Sequence, residues 1–496
     1  MSQVPAEYSA KDFFIEDLPR TLFPLSTNKI LVENGAAELL AFAAKLVGGG
    51  GSFLPQRRVY ANKDALHLRR TVKLDAVAEF FLYDLIYRNR SYFRKPFSAA
   101  RQHFGYRFEK GMPVAPSKSY SDFKQTIATN TLMTAEFIGF DIASYFNSVY
   151  HHDLMAWFSS LGTPADDVEA FGKFFREINA GRSLDCLPQG LYPAKMIGSE
   201  FLRFIEQSSS IRAESIARFM DDFYLFDDDK NVLQSDFAEV QRLLGLKGLS
   251  VNASKTDTGG TPKTGEAEGN ISELKMRLLK RRRHLIVSHY EIEDEPDDDS
   301  DASEPLDEEE IEFVLSLLDA DQLSEEDAEL ILIVMRNNVD RIEEHLQLFA
   351  DGFPHLAKNF HGLCADARDK DAVAQIVLDV VRAGKHIGEY QLFWFGMMLE
   401  GYLINTKLGS ELIEALYKHQ SATDISKAKI LEIPDLRFGL PEMREAFLRE
   451  GRSDWLAWSS AVGSRAMKKS TRNYLLDYFA NGSDMNQLIS NIVKNV

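Results

Sequence analysis

The chain of 496 residues contains no uninterrupted apolar stretch of about 18 residues, the length a membrane-spanning helix needs. Met1 to Lys11 show no basic region leading into an apolar core, so no secretory signal is expected. Only two cysteines occur, Cys186 and Cys364, too few for a disulfide framework or a zinc cage. From these absences a cytoplasmic protein without a membrane partner is the simplest expectation. A basic excess is also missing, since the net charge is −18. The four glycines at 48–51 lack the Gly-Lys-Ser/Thr ending of a phosphate loop and read as a flexible connector.

Length sets a prior of roughly two to three domains, and 45% hydrophobic residues support real cores. The negative charge is unevenly placed. Residues 291–310 hold thirteen Asp or Glu and no Lys or Arg, whereas residues 51–130 hold fifteen Lys or Arg against six Asp or Glu. A polyanion responds to the local field, so net charge does not exclude one. Tyr83, Tyr87, Tyr92, Phe93 and Tyr106 interleave with the basic residues, which favours a nucleic-acid surface over a plain solvated face.

Periodicity divides the chain into an α+β part and a helical part. A helical pattern covers 26–47, and an amphipathic helix is expected over 75–88. Residues 137–142 read as a short buried strand ending at Asp141, with a helix starting near Tyr145. Residues 186–206 read as a loop feeding a helix, 215–227 as a hairpin, 232–244 as a helix and 249–252 as a short strand. The basic cluster Lys280-Arg281-Arg282-Arg283 and the acidic stretch after it suggest a linker. Beyond it the pattern is helical, with expected helices at 324–336, 340–351, 371–382, 388–402, 410–419 and 442–450. Short turns between them suggest stacked antiparallel pairs, solenoid-like, although no strict sequence period is present and an ordinary bundle fits as well. The expected organisation is an N-terminal segment 1–50, an α+β domain 51–275, a charged linker 276–310 and an all-α domain 311–496.

The string Arg218-Phe219-Met220-Asp221-Asp222-Phe223-Tyr224-Leu225-Phe226 places two adjacent carboxylates between aromatic and apolar runs. Burying paired carboxylates is costly unless a cation neutralises them. Asp141 lies in a similar setting upstream. Two divalent ions held by such carboxylates are what nucleotidyl transfer needs, and Mg2+ takes oxygen ligands while keeping several waters. Asp227 to Asp229 read instead as an exposed turn, and His151 and His152 as structural.

The order of four segments adds to this. Phe140-Asp141-Ile142-Ala143-Ser144-Tyr145-Phe146 through His152 resembles motif A of reverse transcriptases, and Leu187-Pro188-Gln189-Gly190-Leu191-Tyr192-Pro193 resembles motif B. Phe219-Met220-Asp221-Asp222 resembles motif C, with Phe where the family usually has Tyr, and Leu244 to Thr256 resembles motif D. Upstream, Leu68-Arg69-Arg70-Thr71-Val72-Lys73-Leu74 and Phe104-Gly105-Tyr106-Arg107-Phe108 resemble the fingers. The resemblance spans roughly 55–260. It implies a fingers/palm fold in which Asp141 and Asp221 bind two Mg2+ ions, with Mn2+ as a substitute, and Asp222 assists them. It further implies that Phe146 excludes a ribose 2′-hydroxyl, and that Gln189 and Gly190 contact the incoming nucleotide. Lys73 with Arg69 or Arg70 would clamp the triphosphate, since Arg binds phosphate oxygens in a bidentate way. Lys255 would reach it from motif D.

The departures are informative. Ala194 stands where motif B usually has Ser, and no thumb is recognisable after motif D. A reverse-transcriptase-like domain followed by helical repeats resembles the abortive-infection (Abi) polymerases of bacterial antiphage systems. That resemblance implies template-independent DNA synthesis from deoxynucleotides, primed by a protein tyrosine. It also implies a single-stranded DNA product left covalently attached, and a closed homo-oligomer. Tyr8, in a polar N-terminal segment, is the priming candidate. In the helical part Arg465, Lys468, Lys469 and Arg472 alternate with Trp455, Trp458 and Tyr474, which suits either a product groove or a packed core. Two other readings stand beside this one: a templated, retron-like polymerase using a separate RNA, and a catalytically silent scaffold.

Overall fold

The computed structural model describes residues 8–93, 95–185, 187–258, 274–275, 277–279, 281–282, 305–318, 323–383 and 386–496. They fall into two compact units. The first holds residues 8–21, 40–58 and 71–258, and the second holds 22–39, 59–70 and those from 274 onward. Most of the charged linker, Lys280 and Arg283 among it, lies outside the described residues, as does Cys186.

The first unit is built on a four-stranded sheet. Its strands are β3 (Arg101–Phe104), β6 (Glu136–Asp141), β7 (Ser215–Phe219) and β8 (Asp222–Asp227), in the order β3-β7-β8-β6. β7 and β8 form the hairpin expected around the paired carboxylates, with Phe219 opposite Asp222 and a two-residue tip of Met220 and Asp221. Alternation along the strands sorts side chains onto two faces. On one face Phe137, Ala217, Tyr224 and Phe226 pack with Phe123 and Ile127 of helix α4 (Pro116–Met133). On the other, Phe140 and Phe223 stack with ring centroids 5.1 Å apart, and Phe237 of helix α10 (Lys230–Gly245) lies 5.2 Å from Phe140. Gly139 is required by its neighbour, because a Cβ there would lie 2.8 Å from the Tyr224 ring. Helix α1 (Ala10–Asp17), opened by a Ser9–Asp12 capping box, packs on helix α3 (Ala76–Arg88). Asp17 ends α1 by accepting bonds from the Tyr83 hydroxyl and the Tyr192 backbone N–H.

In the second unit, helices α11 (Glu308–Leu318), α12 (Glu325–Val334), α13 (Leu346–Gly352), α14 (Ala357–Cys364) and α15 (Lys370–Arg382) are followed by α16 (Glu389–Met398), α17 (Gly409–Lys418) and α18 (Asp424–Leu431). Then come α19 (Leu440–Glu450), α20 (Trp455–Gly463), α21 (Lys469–Ala480) and α22 (Asp484–Val493). Alternate helices pack on one another: α12, α14, α16, α18, α20 and α22 in one succession, α13, α15 and α17 in another. Their core includes Leu330, Phe349, Leu363, Cys364, Val377, Leu399 and Leu412. The helix expected over 340–351 is broken into short turns at Arg336–Arg341 and Glu343–His345 before α13. Asn338 leaves helical geometry there, consistent with the tendency of Asn to bond its local backbone.

The grouping departs from four consecutive segments at 22–39 and 59–70. Glu432 accepts the backbone N–H groups of Ser26 (2.9 Å) and Thr27 (2.6 Å), capping the helix Ser26–Val47. Lys429, fully buried, neutralises Glu432 and Glu400. The Tyr60 N–H donates to Glu389. Trp455 and Trp458 are buried, and Arg465 spends its donors on the carbonyls of Glu432 and Val462. These residues take the packed-core role. Lys468, Lys469 and Tyr474 stay exposed.

Candidate active site

Asp141 ends β6 and Asp222 begins β8, and the antiparallel register sets them opposite each other. A period of two puts both on the face that carries Tyr224 and Phe226. Asp221 sits in the hairpin tip, where its carbonyl accepts the Ile142 N–H at 3.3 Å. The tip is strained: Met220 has φ +56, a left-handed conformation that non-glycine residues rarely adopt. Ser144, just past Asp141, is left-handed too, with φ +49.

Three carboxylates thus meet at one end of the sheet. Burial, then the Asp141 and Asp222 charges, push the Asp221 carboxyl up to about 7. Asp222 is raised by burial and by Asp141, against Lys255 and Lys124. Lys255 is the cation bonded to the cluster among the described residues, with Nζ 3.0 Å from Asp141 Oδ2. Burial works against its charge, but the bond to Asp141 and the three carboxylates outweigh it and raise its pKa. Edge pairing delivers this lysine. Gly139 and Asp257 exchange backbone bonds at 2.8 Å, Asn252 N–H donates to the Asp141 carbonyl at 2.7 Å, and Ala143 N–H donates to Ser250 at 2.8 Å. The segment 250–257 therefore lines the free edge of β6. Asn252 Nδ2 also stands 3.4 Å from Asp141 Oδ2.

Around this cluster, Tyr145 and Phe146 open a short helix, α5 (Tyr145–Ser148), and both are buried. The Tyr145 hydroxyl donates to the Gly198 carbonyl at 2.6 Å. Phe146 packs against Gly198 of helix α8 (Tyr192–Phe201), where a Cβ would stand 3.3 Å from the ring. Gln189 and Gly190 are half-buried just before α8, and the Gln189 carbonyl accepts the Thr71 hydroxyl at 2.7 Å. Gly190 has φ +111, which demands glycine. Phe219 lies 5.1 Å from Tyr120 and 5.8 Å from Phe123, an aromatic setting that asks for no hydroxyl.

Lys73 is buried and its ammonium bonds Glu79 at 2.8 Å, so it is committed to an internal pair rather than held out for phosphate. Arg69 and Arg70, half-buried and exposed, belong to the second unit. The Tyr8 hydroxyl donates to Glu16 at 2.7 Å, and burial together with Glu16 raises its pKa well above the ordinary tyrosine value. His151 is buried with Nε2 2.9 Å from the Gly172 carbonyl, a structural role. Asp229 caps α10, and Asp228 accepts the Ala135 N–H. Sequence reasoning missed Asn252, Tyr145, Asp17 and the pair Arg218–Glu206. The one local signal for the last was an arginine in a strand of aromatic neighbours.

Residues 94–267 match the family model for reverse transcriptase (RNA-dependent DNA polymerase). The chain carries a reverse-transcriptase domain. The enzyme class this domain indicates is nucleotidyltransferase. Arg69, Arg70 and Lys73 lie upstream of the matched segment. A solved telomerase from Candida albicans, in complex with a fragment of telomeric RNA, is similar at 11% identity and a TM-score of 0.27, over 73% of this chain and 62% of its own. This chain thus spans less than two thirds of that relative's length. No curated protein matches it. No described helix is long and apolar enough to cross a membrane.

Reverse transcriptases generally use divalent metals, and the donor set can be tested for fit. Among the described residues no three His, Cys, Asp or Glu side chains are arranged to hold an ion. Asp141 and Asp222 both act on the Asp221 carboxyl, and Asp141 also bonds Lys255. The chemistry nevertheless fits. All donors are carboxylate oxygens, and two of the three have raised pKa values, first from burial and then from the neighbouring carboxylates, a cost that a divalent cation relieves.

Proposed function

We propose that the chain is a DNA polymerase of antiphage abortive infection that joins deoxynucleotides without a template, starting from a protein tyrosine. The observation that carries the polymerase reading is the repelling carboxylate cluster at the join of β6 and the β7–β8 tip, on the segments that resemble motifs A and C. Asp141 and Asp221, with Asp222 beside them, would hold two Mg2+ or Mn2+ ions, which supply charge neutralisation at the attacking oxygen and the triphosphate. Lys255 gives up Asp141 and turns to triphosphate oxygens. Phe146, fixed against Gly198, fills the space of a ribose 2′-hydroxyl. The backbone at Gln189 and Gly190 approaches the nucleotide closely because Gly190 has no Cβ.

In the priming step Tyr8 leaves Glu16. Its oxygen forms a bond to the α-phosphorus, the bond to the β-phosphate oxygen breaks, pyrophosphate leaves and the phenolic proton passes to water. Later steps repeat this with a 3′-hydroxyl, so the single-stranded product stays attached. The two successions of alternately packed helices in the second unit support a helical-repeat reading, and that domain would serve a homo-oligomer or the emerging strand.

The test is denaturing electrophoresis after incubation with labelled deoxynucleotides and Mg2+, with no nucleic acid added. Wild type is expected to yield a protein-linked smear that Asp221→Ala abolishes and Tyr8→Phe prevents. Labelling only when RNA and primer are supplied would replace this reading with a templated polymerase. Phage protection that survives Asp221→Ala would replace it with a scaffold.

A further inference from the structure

Arg218 lies on β7, on the sheet face opposite Asp141 and Asp222, and is fully buried. Its Nε is paired with Glu206 of the short helix α9 (Arg203–Glu206), itself buried. Its Nη1 donates to the carbonyl of Met220 at 2.9 Å. Its guanidinium carbon stands 5.4 Å from the centre of the Phe223 ring, across the hairpin. Among the described residues Nη2 of Arg218 and Oε2 of Glu206 are buried without a hydrogen-bond partner. A buried ion pair left partly unsatisfied is a poor stabiliser, because two desolvated charges are incompletely compensated. Stability alone does not account for the pair, and its bond to the tip supplies another role. Met220, the residue whose carbonyl it grips, is the left-handed residue immediately before Asp221. The turn is joined to the segment after Asp141, since the Asp221 carbonyl accepts the Ile142 N–H at 3.3 Å.

We propose that Arg218 is a positioning residue: anchored on Glu206, it holds the Met220 carbonyl and so fixes the left-handed turn that sets Asp221 beside Asp141. The guanidinium suits this task because its planar fork serves a carboxylate with one nitrogen and a carbonyl with another, which a lysine ammonium does not reproduce. The inference rests on the metal-dependent reading above only for its consequence in catalysis; the turn geometry is independent of it.

The test compares wild type with Arg218→Met/Glu206→Leu, which removes both charges and keeps apolar volume, and with Arg218→Lys in case the double variant does not fold. Arg444→Met is the control. It deletes another fully buried arginine, bonded to the carbonyls of Leu431 and Asp435 in the second unit. Three quantities are read: melting temperature, Mn2+ affinity by electron paramagnetic resonance, and amide hydrogen exchange over residues 219–223. The double variant is expected to melt within a few degrees of wild type, to bind Mn2+ at least tenfold more weakly and to exchange faster at the tip. Its kcat should fall while KM for deoxynucleotide holds. Arg218→Lys should show the same pattern more weakly, and Arg444→Met a lower melting temperature with Mn2+ affinity and tip exchange unchanged. A tip that exchanges as in wild type in both Arg218 variants overturns the proposal. Wild type that fails to bind Mn2+ removes the metal-dependent reading instead, and tip exchange still decides the role of Arg218.

Discussion

Replacing Asp221 by Asn should stabilise the metal-free protein at high pH. The Asp221 carboxyl is raised from 3.8 to about 7, first by burial and then by Asp141 and Asp222. A group whose folded pKa lies above its unfolded value binds more protons when folded. Below pH 4 it is protonated in both states and costs nothing. Between pH 4 and 7 the unfolded chain releases the proton and the folded chain does not, so stability is lost across that window and the whole penalty is present above pH 7. About three units at about 1.4 kcal/mol each give an upper bound of about 4 kcal/mol. Asn still faces Asp141 and Asp222, so about half of that should be recovered. Each kcal/mol shifts the melting temperature of a domain this size by about 2–4 °C. Thermal unfolding in EDTA at pH 6 and pH 8.5 should therefore show Asp221→Asn melting several degrees above wild type at pH 8.5. The gap should narrow at pH 6, with the other titrating groups cancelling in the comparison. Added Mn2+ should raise wild type at pH 8.5 and leave the variant nearly unmoved. A variant no more stable than wild type at pH 8.5 in EDTA would refute the idea that the carboxylates repel one another in the folded state.

Other outcomes follow from the same geometry. Phe146→Ala, which opens the space against Gly198, should narrow the preference for deoxy- over ribonucleotides by tenfold or more, read as the ratio of kcat/KM values. Lys73→Met should destabilise the first unit by about 3–5 kcal/mol in urea unfolding, because the buried Glu79 carboxylate loses the ammonium that pairs with it. Lys73→Met/Glu79→Leu should restore most of that stability, and an unchanged KM for deoxynucleotide in the double variant would show that Lys73 does not clamp triphosphate. Lys429→Met should cost a similar amount in the second unit by stranding Glu432 and Glu400, and hydrogen exchange should speed up at the start of the helix Ser26–Val47, whose first N–H groups Glu432 caps.

Elements with strong local patterns were legible in the chain itself. The aromatic runs around Asp221 and Asp222 have the alternation of a buried hairpin, and the structure forms it at 215–227. The apolar spacing over 75–88 and 371–382 foretold α3 and α15 within a residue or two. Asp141 at the end of a short apolar strand, and glycine at position 190 before a helix, followed from the same local reasoning. These features depend on a few neighbouring residues, whose side-chain period and backbone freedom are written in the sequence.

What tertiary structure decided was which partner each charge meets. The register that sets Asp141 against Asp222 pairs strands eighty residues apart, and a slip of one residue would turn the two carboxylates to opposite faces. Lys255 reaches Asp141 only because 250–257 lines the edge of β6, and Lys73 is withdrawn only because Glu79 is buried within reach. Arg218 and Glu206 carry no mark of their pairing in the chain, since attraction between charges falls with distance in space and is indifferent to distance in sequence. Local periodicity built the strands and helices and placed the carboxylates on them. Long-range pairing chose their neighbours, and with them the pKa values and the geometry on which any chemistry at this site depends.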